Sequence, residues 1–234
     1  MKKRQPLLRM LVDFLMLLLS VTLMGGTLLF TDDRVHQILG MVLLVLWACH
    51  VVLNRRWYGA VFKGTYAPYR VMQTVVNLGI SICALLLMAS GMAMAWFMPA
   101  FRGMEVARLV HLASSHWYYC FMCAHIGLHV EKMARKIALR RAGSEPQAKA
   151  TAPSRFVRPR TVLLYALLAL VCAYGVHAFV VRGIPFYLFL RQQFFFLDLN
   201  RGYALFVADY VSILVLIATV FHFLSYSLSF LKKA

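Results

Sequence analysis

VHQILGMVLLVLWACHVVL, at residues 35–53, decides the fold: it is nineteen residues without a charge, apolar throughout except for Gln37 and two histidines. About 20 such residues cross a bilayer as an α-helix. A strand cannot replace it, because an open strand in lipid leaves backbone amides unpaired. Residues 110–130, VHLASSHWYYCFMCAHIGLHV, repeat the device with four histidines, and residues 7–30, 71–98, 161–181 and 203–231 supply further apolar runs. The expectation is an all-α fold, a polytopic transmembrane bundle of about six spans.

The rest of the chain agrees. Of its 234 residues 62% are hydrophobic and 14% charged, and the mean hydropathy is +0.72. A soluble domain would carry far more charge to clothe its surface, and six spans leave no room for a separate catalytic domain. The net charge of +17 does not point to nucleic acid, because its placement is topological. Nineteen of the 25 Lys and Arg fall at residues 2–9, 55–70, 132–160 and 232–233, and six fall in the alternate connections. The positive-inside rule then puts both termini in the cytoplasm, with residues 31–34, 99–109 and 182–202 outside. MKKR before an apolar run resembles a signal peptide, but the run is too long and shows no small-residue cleavage site, so it is expected to stay as a first helix. Five cysteines lie within apolar runs, as small buried hydrophobes.

The chemistry lies in the histidines. An imidazole in a membrane helix is costly without a partner, although many only hydrogen-bond within the bundle. His36 and His50 are 14 residues apart, and so are His111 and His125. In a left-handed bundle repeating every 3.5 residues, 14 residues bring both members of a pair back to one seam. At about 1.5 Å per residue the two levels are about 21 Å apart. The topology makes these two spans parallel, so matching imidazoles face each other twice. Two haems fit that pattern best, an outer one on His36 and His111 and an inner one on His50 and His125. Two strong nitrogen ligands leave no open position, which suits electron transfer rather than oxygen chemistry. Structural zinc instead gathers four ligands at one point.

Alternatives stay open. His116 and His129 are 13 residues apart. His116 lies about 140° around the helix from His111 and should point elsewhere. His129, one turn from His125, is either the inner ligand or a contact for a propionate, a quinone or Glu131. Arg34 and Arg108 sit where they would pair with haem propionates or simply snorkel to the interface. Gly40, Gly91 and Gly127 either admit a flat macrocycle or serve helix packing. CFMCAH at residues 120–125 is not a covalent haem motif, since Ala124 separates the second cysteine from the histidine. Asp13 and Asp209 are intramembrane or interfacial carboxylates open to a proton-transfer role. Residues 182–202, apolar but broken by Pro185, Arg191 and Asp198, read as an aromatic element on the outer interface that anchors there or covers the site. The organisation expected is a four-helix haem-binding core at 1–141, a cytoplasmic linker at 142–160, and two further helices with the outer segment at 161–234.

These residues resemble the flavinylation-associated cytochromes, small membrane b-type cytochromes first catalogued as a domain of unknown function. The resemblance is carried by VHQILGMVLLVLWACHVVLNRRWY (35–58), LVHLASSHWYYCFMCAHIGLH (109–129) and YGVHAF (174–179), and in character by YLFLRQQFFFLDLNRG (187–202) and ADYVSIL (208–214). It implies a bundle with non-covalent b haem in a bacterial cytoplasmic membrane. Such a bundle passes electrons from quinol or a cytoplasmic-side donor to extracytoplasmic flavinylated partner proteins. It implies His36, His50, His111 and His125 as iron ligands, with His129 on the second histidine of an H-x-G-x-H motif. His116 and His177 match no histidine of the family. The flavin-attachment motif D-G-x-T-G-A-T is absent from the sequence, so any covalent flavin belongs to a partner. Two rival readings are a quinone-reducing cytochrome b subunit of a hydrogenase, formate dehydrogenase or ferric reductase system, and a haem-free scaffold or transporter.

Overall fold

The computed structural model describes residues 5–30, 32–99, 102–142, 159–198 and 202–230. Those residues are all-helical, with no strand among them. In chain order the elements are α1 (Gln5–Leu23), a 3-10 turn (Thr27–Leu29), α2 (Asp33–Leu53), α3 (Arg55–Ala60), α4 (Pro68–Ala93), α5 (Met104–Ala142), α6 (Pro159–Val181), α7 (Ile184–Leu188) and α8 (Gly202–Phe230). Helices α2, α4, α6 and α8 are long and apolar enough to cross a membrane. The 39-residue α5 is longer than any of them, but its four imidazoles and two serines dilute its apolar run.

The ends of the helices follow local rules. Asp32 caps α2, accepting a hydrogen bond from the Arg34 amide at 2.8 Å, and Asp33 places a negative charge in the first turn. Pro68 opens α4, where its missing amide hydrogen costs nothing. The linker expected at 142–160 falls almost wholly outside the described residues. The segment after α6 forms the short α7 and then runs without regular structure to Asp198.

α5 is the centre of the bundle. It packs on α4 along one side and on α8 along another, while α6 lies on α8 and α1 on α2. Tyr118, Tyr119, Met122 and Cys123 of α5 are buried together with Ala84 and Leu87 of α4, Ile184 of α7, and Tyr210 and Ile213 of α8. Gly127 is what lets α5 and α8 approach: a Cβ there would stand 2.3 Å from the Ala218 carbonyl oxygen. That glycine serves helix packing, and the reading that it admits a flat ligand is corrected.

The buried carboxylate of the bundle is partnered. Asp209 is fully buried on α8 and accepts from the Arg182 Nε at 2.8 Å and the Tyr174 hydroxyl at 2.5 Å. Apolar side chains such as Leu164 and Leu170 of α6 face outward, 66% and 67% exposed, as a lipid-facing helix requires. α2 is seated differently: Leu43 is its single buried residue. It rests on α1 and touches α4 lightly, leaving a gap between itself and α5.

Candidate functional site

Two pairs of imidazoles meet across that gap. The rings of His36 and His111 are centred 6.3 Å apart, and those of His50 and His125 are centred 6.5 Å apart. Their planes cross at 69° and 75°. The equal 14-residue spacings on α2 and α5 thus become two matching levels.

The separation has a chemical meaning. Both pairs lie within the range of about 4.5–7 Å of ordinary edge-to-face contact, and the same spacing also leaves room for a metal atom between the rings. Two metal–nitrogen bonds of about 2 Å, plus about 1.1 Å from each ring centre to its nitrogen, require about 6 Å between centres. Both pairs stand at the distance at which one metal atom joins them.

Three of the four rings are held from behind through Nδ1. His111 donates to the Leu87 carbonyl at 3.1 Å, with the Ser90 hydroxyl 3.3 Å away. His125 Nδ1 meets Asn77 Oδ1 at 2.8 Å, and His50 Nδ1 meets a carboxylate oxygen of Asp13 at 2.7 Å. A carbonyl or carboxylate only accepts, so each Nδ1 carries the hydrogen and each Nε2 keeps its lone pair. No hydrogen bond engages Nε2 of these three among the described residues. This is the arrangement by which a backing group fixes the tautomer and aim of a metal-binding histidine. His36 is freer, since its buried Nδ1 has no hydrogen-bond partner.

A cavity of about 410 Å³ lies between α1, α2, α4 and α5 at the His36–His111 end. That volume is in the range of cofactor sites. Leu and Met are the commonest side chains in its walls, and Arg108 is among the lining residues. Gly40 faces open space there, so no side chain fills the position opposite, and a Cβ on Gly91 would come within 3.1 Å of the His111 ring. The polar atoms and the apolar walls together fit a flat, apolar macrocycle with axial nitrogen ligands. Among the described residues no three His, Cys, Asp or Glu side chains gather at one point.

The remaining sequence candidates fall as follows. Arg108 lines the cavity, with its guanidinium 4.8 Å over the Phe194 ring. Arg34 is exposed in the first turn of α2, outside that lining. The His129 ring lies 4.6 Å from that of His125. His116 is turned toward α7 rather than toward α2, although it also contributes to the lining of the cavity. It is 1% exposed, stacks on Tyr187 at 4.3 Å, bonds the Leu112 carbonyl through Nδ1 and leaves a buried Nε2 without a partner. His177 is exposed on α6, with Tyr174 as its ring neighbour. Cys120 and Cys123 are free thiols. Asp209 is engaged by Arg182 and Tyr174, which accounts for it structurally.

Sequence reasoning missed the pairing of Asp13 with His50 and the part of Asn77. Both had a signal, a carboxylate and an amide inside apolar runs. The Leu87 carbonyl had none. The outer segment comes back to the site: Phe194 and Phe195 line the cavity, and Phe195 occupies the place a Cβ on Gly26 would need, at 2.7 Å. Gly26 has φ +60°, a conformation favouring glycine. Compared with family models, characterised proteins and solved structures, the chain matches none of them.

Proposed function

We propose that this chain is a dihaem b-type cytochrome of a bacterial cytoplasmic membrane, related to the flavinylation-associated cytochromes. α1 and α5 join the four most apolar helices as spans, and both termini are cytoplasmic. The observation that carries the reading is the repeated ring separation, 6.3 and 6.5 Å, at two levels of the same two helices. His36 and His111 would hold the outer haem, and His50 and His125 the inner one, with His129 beside the inner ligand. Arg108 stands where an outer propionate would be met, and Arg34 lies two residues before His36 on α2. Bound there, the two haems supply one-electron transfer between the two faces of the membrane.

The protein's own part is to orient four imidazoles, exclude water with Leu and Met, and hold α2 off α5. Electrons come from quinol or a cytoplasmic-side donor and leave to a flavinylated extracytoplasmic protein. A second cavity of about 210 Å³ at the inner end, lined by Tyr69, Glu131, His222 and Ser225 among others, offers hydrogen-bonding groups for a quinol head.

The test is a reduced-minus-oxidised spectrum of the purified protein, expected to show a b-type α band, with haem assay giving two per chain. Absence of that band would leave the haem-free scaffold or transporter reading. Near-perpendicular imidazole planes also leave two iron d orbitals almost degenerate. Both oxidised centres should therefore give strongly anisotropic low-spin electron paramagnetic resonance signals, and the ordinary rhombic signals of parallel ligands would contradict the ring geometry.

Gly40→Trp probes the outer cavity separately. The indole would fill space that is now open, so haem content is expected to fall from two to one while Gly40→Ala keeps both. Full loading of the Trp variant would show that the outer haem does not lie against Gly40.

A further inference from the structure

One feature of the inner site is not needed merely to bind haem. Asp13 lies in the apolar run of α1, where a carboxylate is costly unless it does something. Among the described residues it pairs with His50 alone, at 2.7 Å. The cation nearest in sequence on that helix, Arg9, is used elsewhere, donating to the Leu53 carbonyl at 2.7 Å. The backing groups of the four ligands are therefore unequal. His111 has a carbonyl and a hydroxyl, His125 an amide oxygen, His36 the Gly26 backbone with its Nδ1 unpartnered, and His50 a carboxylate.

We infer that Asp13 is a positioning residue that lowers the reduction potential of the haem held by His50 and His125, placing it below the haem held by His36 and His111. The inference rests on the dihaem reading above. A charge-assisted hydrogen bond to Nδ1 is about twice as strong as a neutral one and makes the imidazole a stronger electron donor through Nε2. The donation, with the negative charge itself, favours ferric over ferrous iron. The couple is one-electron, and no bond to Asp13 is made or broken. At the other end every backing group is neutral. The resulting order gives electrons a downhill path from the inner face to the outer one.

Potentiometric titration of the α band tests this. The wild type should resolve into two one-electron components. In Asp13→Asn, which keeps the shape and a hydrogen bond but removes the charge, the lower component should rise by at least a tenfold change in its equilibrium, about 59 mV. The upper component should stay in place, and Asp13→Glu should restore the gap. Assignment comes from single-haem backgrounds: Asp13→Asn should shift the haem left in His111→Ala and leave unmoved the haem left in His50→Ala. Two haems with no shift in Asp13→Asn, or a shift of the upper component, would overturn this inference alone. A wild type without a b-type α band would overturn both it and the reading beneath it.

Discussion

Replacing His125 by alanine is expected to leave one haem per chain, with about half the α-band absorbance and the outer centre unchanged in potential. His111→Ala should do the converse. Each ligand belongs to one level, and the levels are about 21 Å apart by helix rise, far beyond side-chain contact. Removing an imidazole would take away one of the two side chains that would hold a haem at that level. Neighbouring His129 gives this experiment its edge. If His125→Ala keeps two haems and His129→Ala loses one, the inner ligand is His129, and the 6.5 Å pairing of His50 with His125 is not the working one. If neither loses haem, no haem lies at this level.

The second large effect concerns stability and is independent of any cofactor. Asp209→Ala is expected to destabilise the bundle by about 3–5 kcal/mol, because it strands a buried guanidinium. Arg182 is only 7% exposed, and its ion pair with Asp209 at 2.8 Å is sealed from water. The Tyr174 hydroxyl loses its acceptor in the same change. For a chain of this size the thermal midpoint should drop by roughly 10 °C. Asp209→Leu combined with Arg182→Met should recover much of the loss, since a buried pair often costs as much to desolvate as it returns. A midpoint within a degree or two of the wild type for the single variant would mean that this pair is wet.

How far these features were legible beforehand depends on the range of the interaction that makes them. Membrane helices announce themselves locally, through apolar length and the absence of charge, so α2, α4, α6 and α8 could be read within a few residues. The 14-residue spacing was equally local, being a property of one helix at a time. His116 was legible only in its direction, because helix periodicity gives an angle around α5 but says nothing of how wide the cavity is. Gly127 was ambiguous for the same reason, since its neighbour Ala218 lies on a helix about 90 residues away.

Composition and periodicity by themselves determined an all-helical chain with membrane-crossing helices, and put imidazoles at equal intervals on two of them. Only the tertiary structure decided that those two helices stand apart with their rings 6.3 and 6.5 Å across, and that a carboxylate backs one ring while neutral groups back two others. The physical reason is that a side chain's spacing along its own helix is set by the backbone hydrogen bonds of that helix. The distance to a partner is set by how α1, α2, α4 and α5 pack around the gap, which no single run of residues encodes.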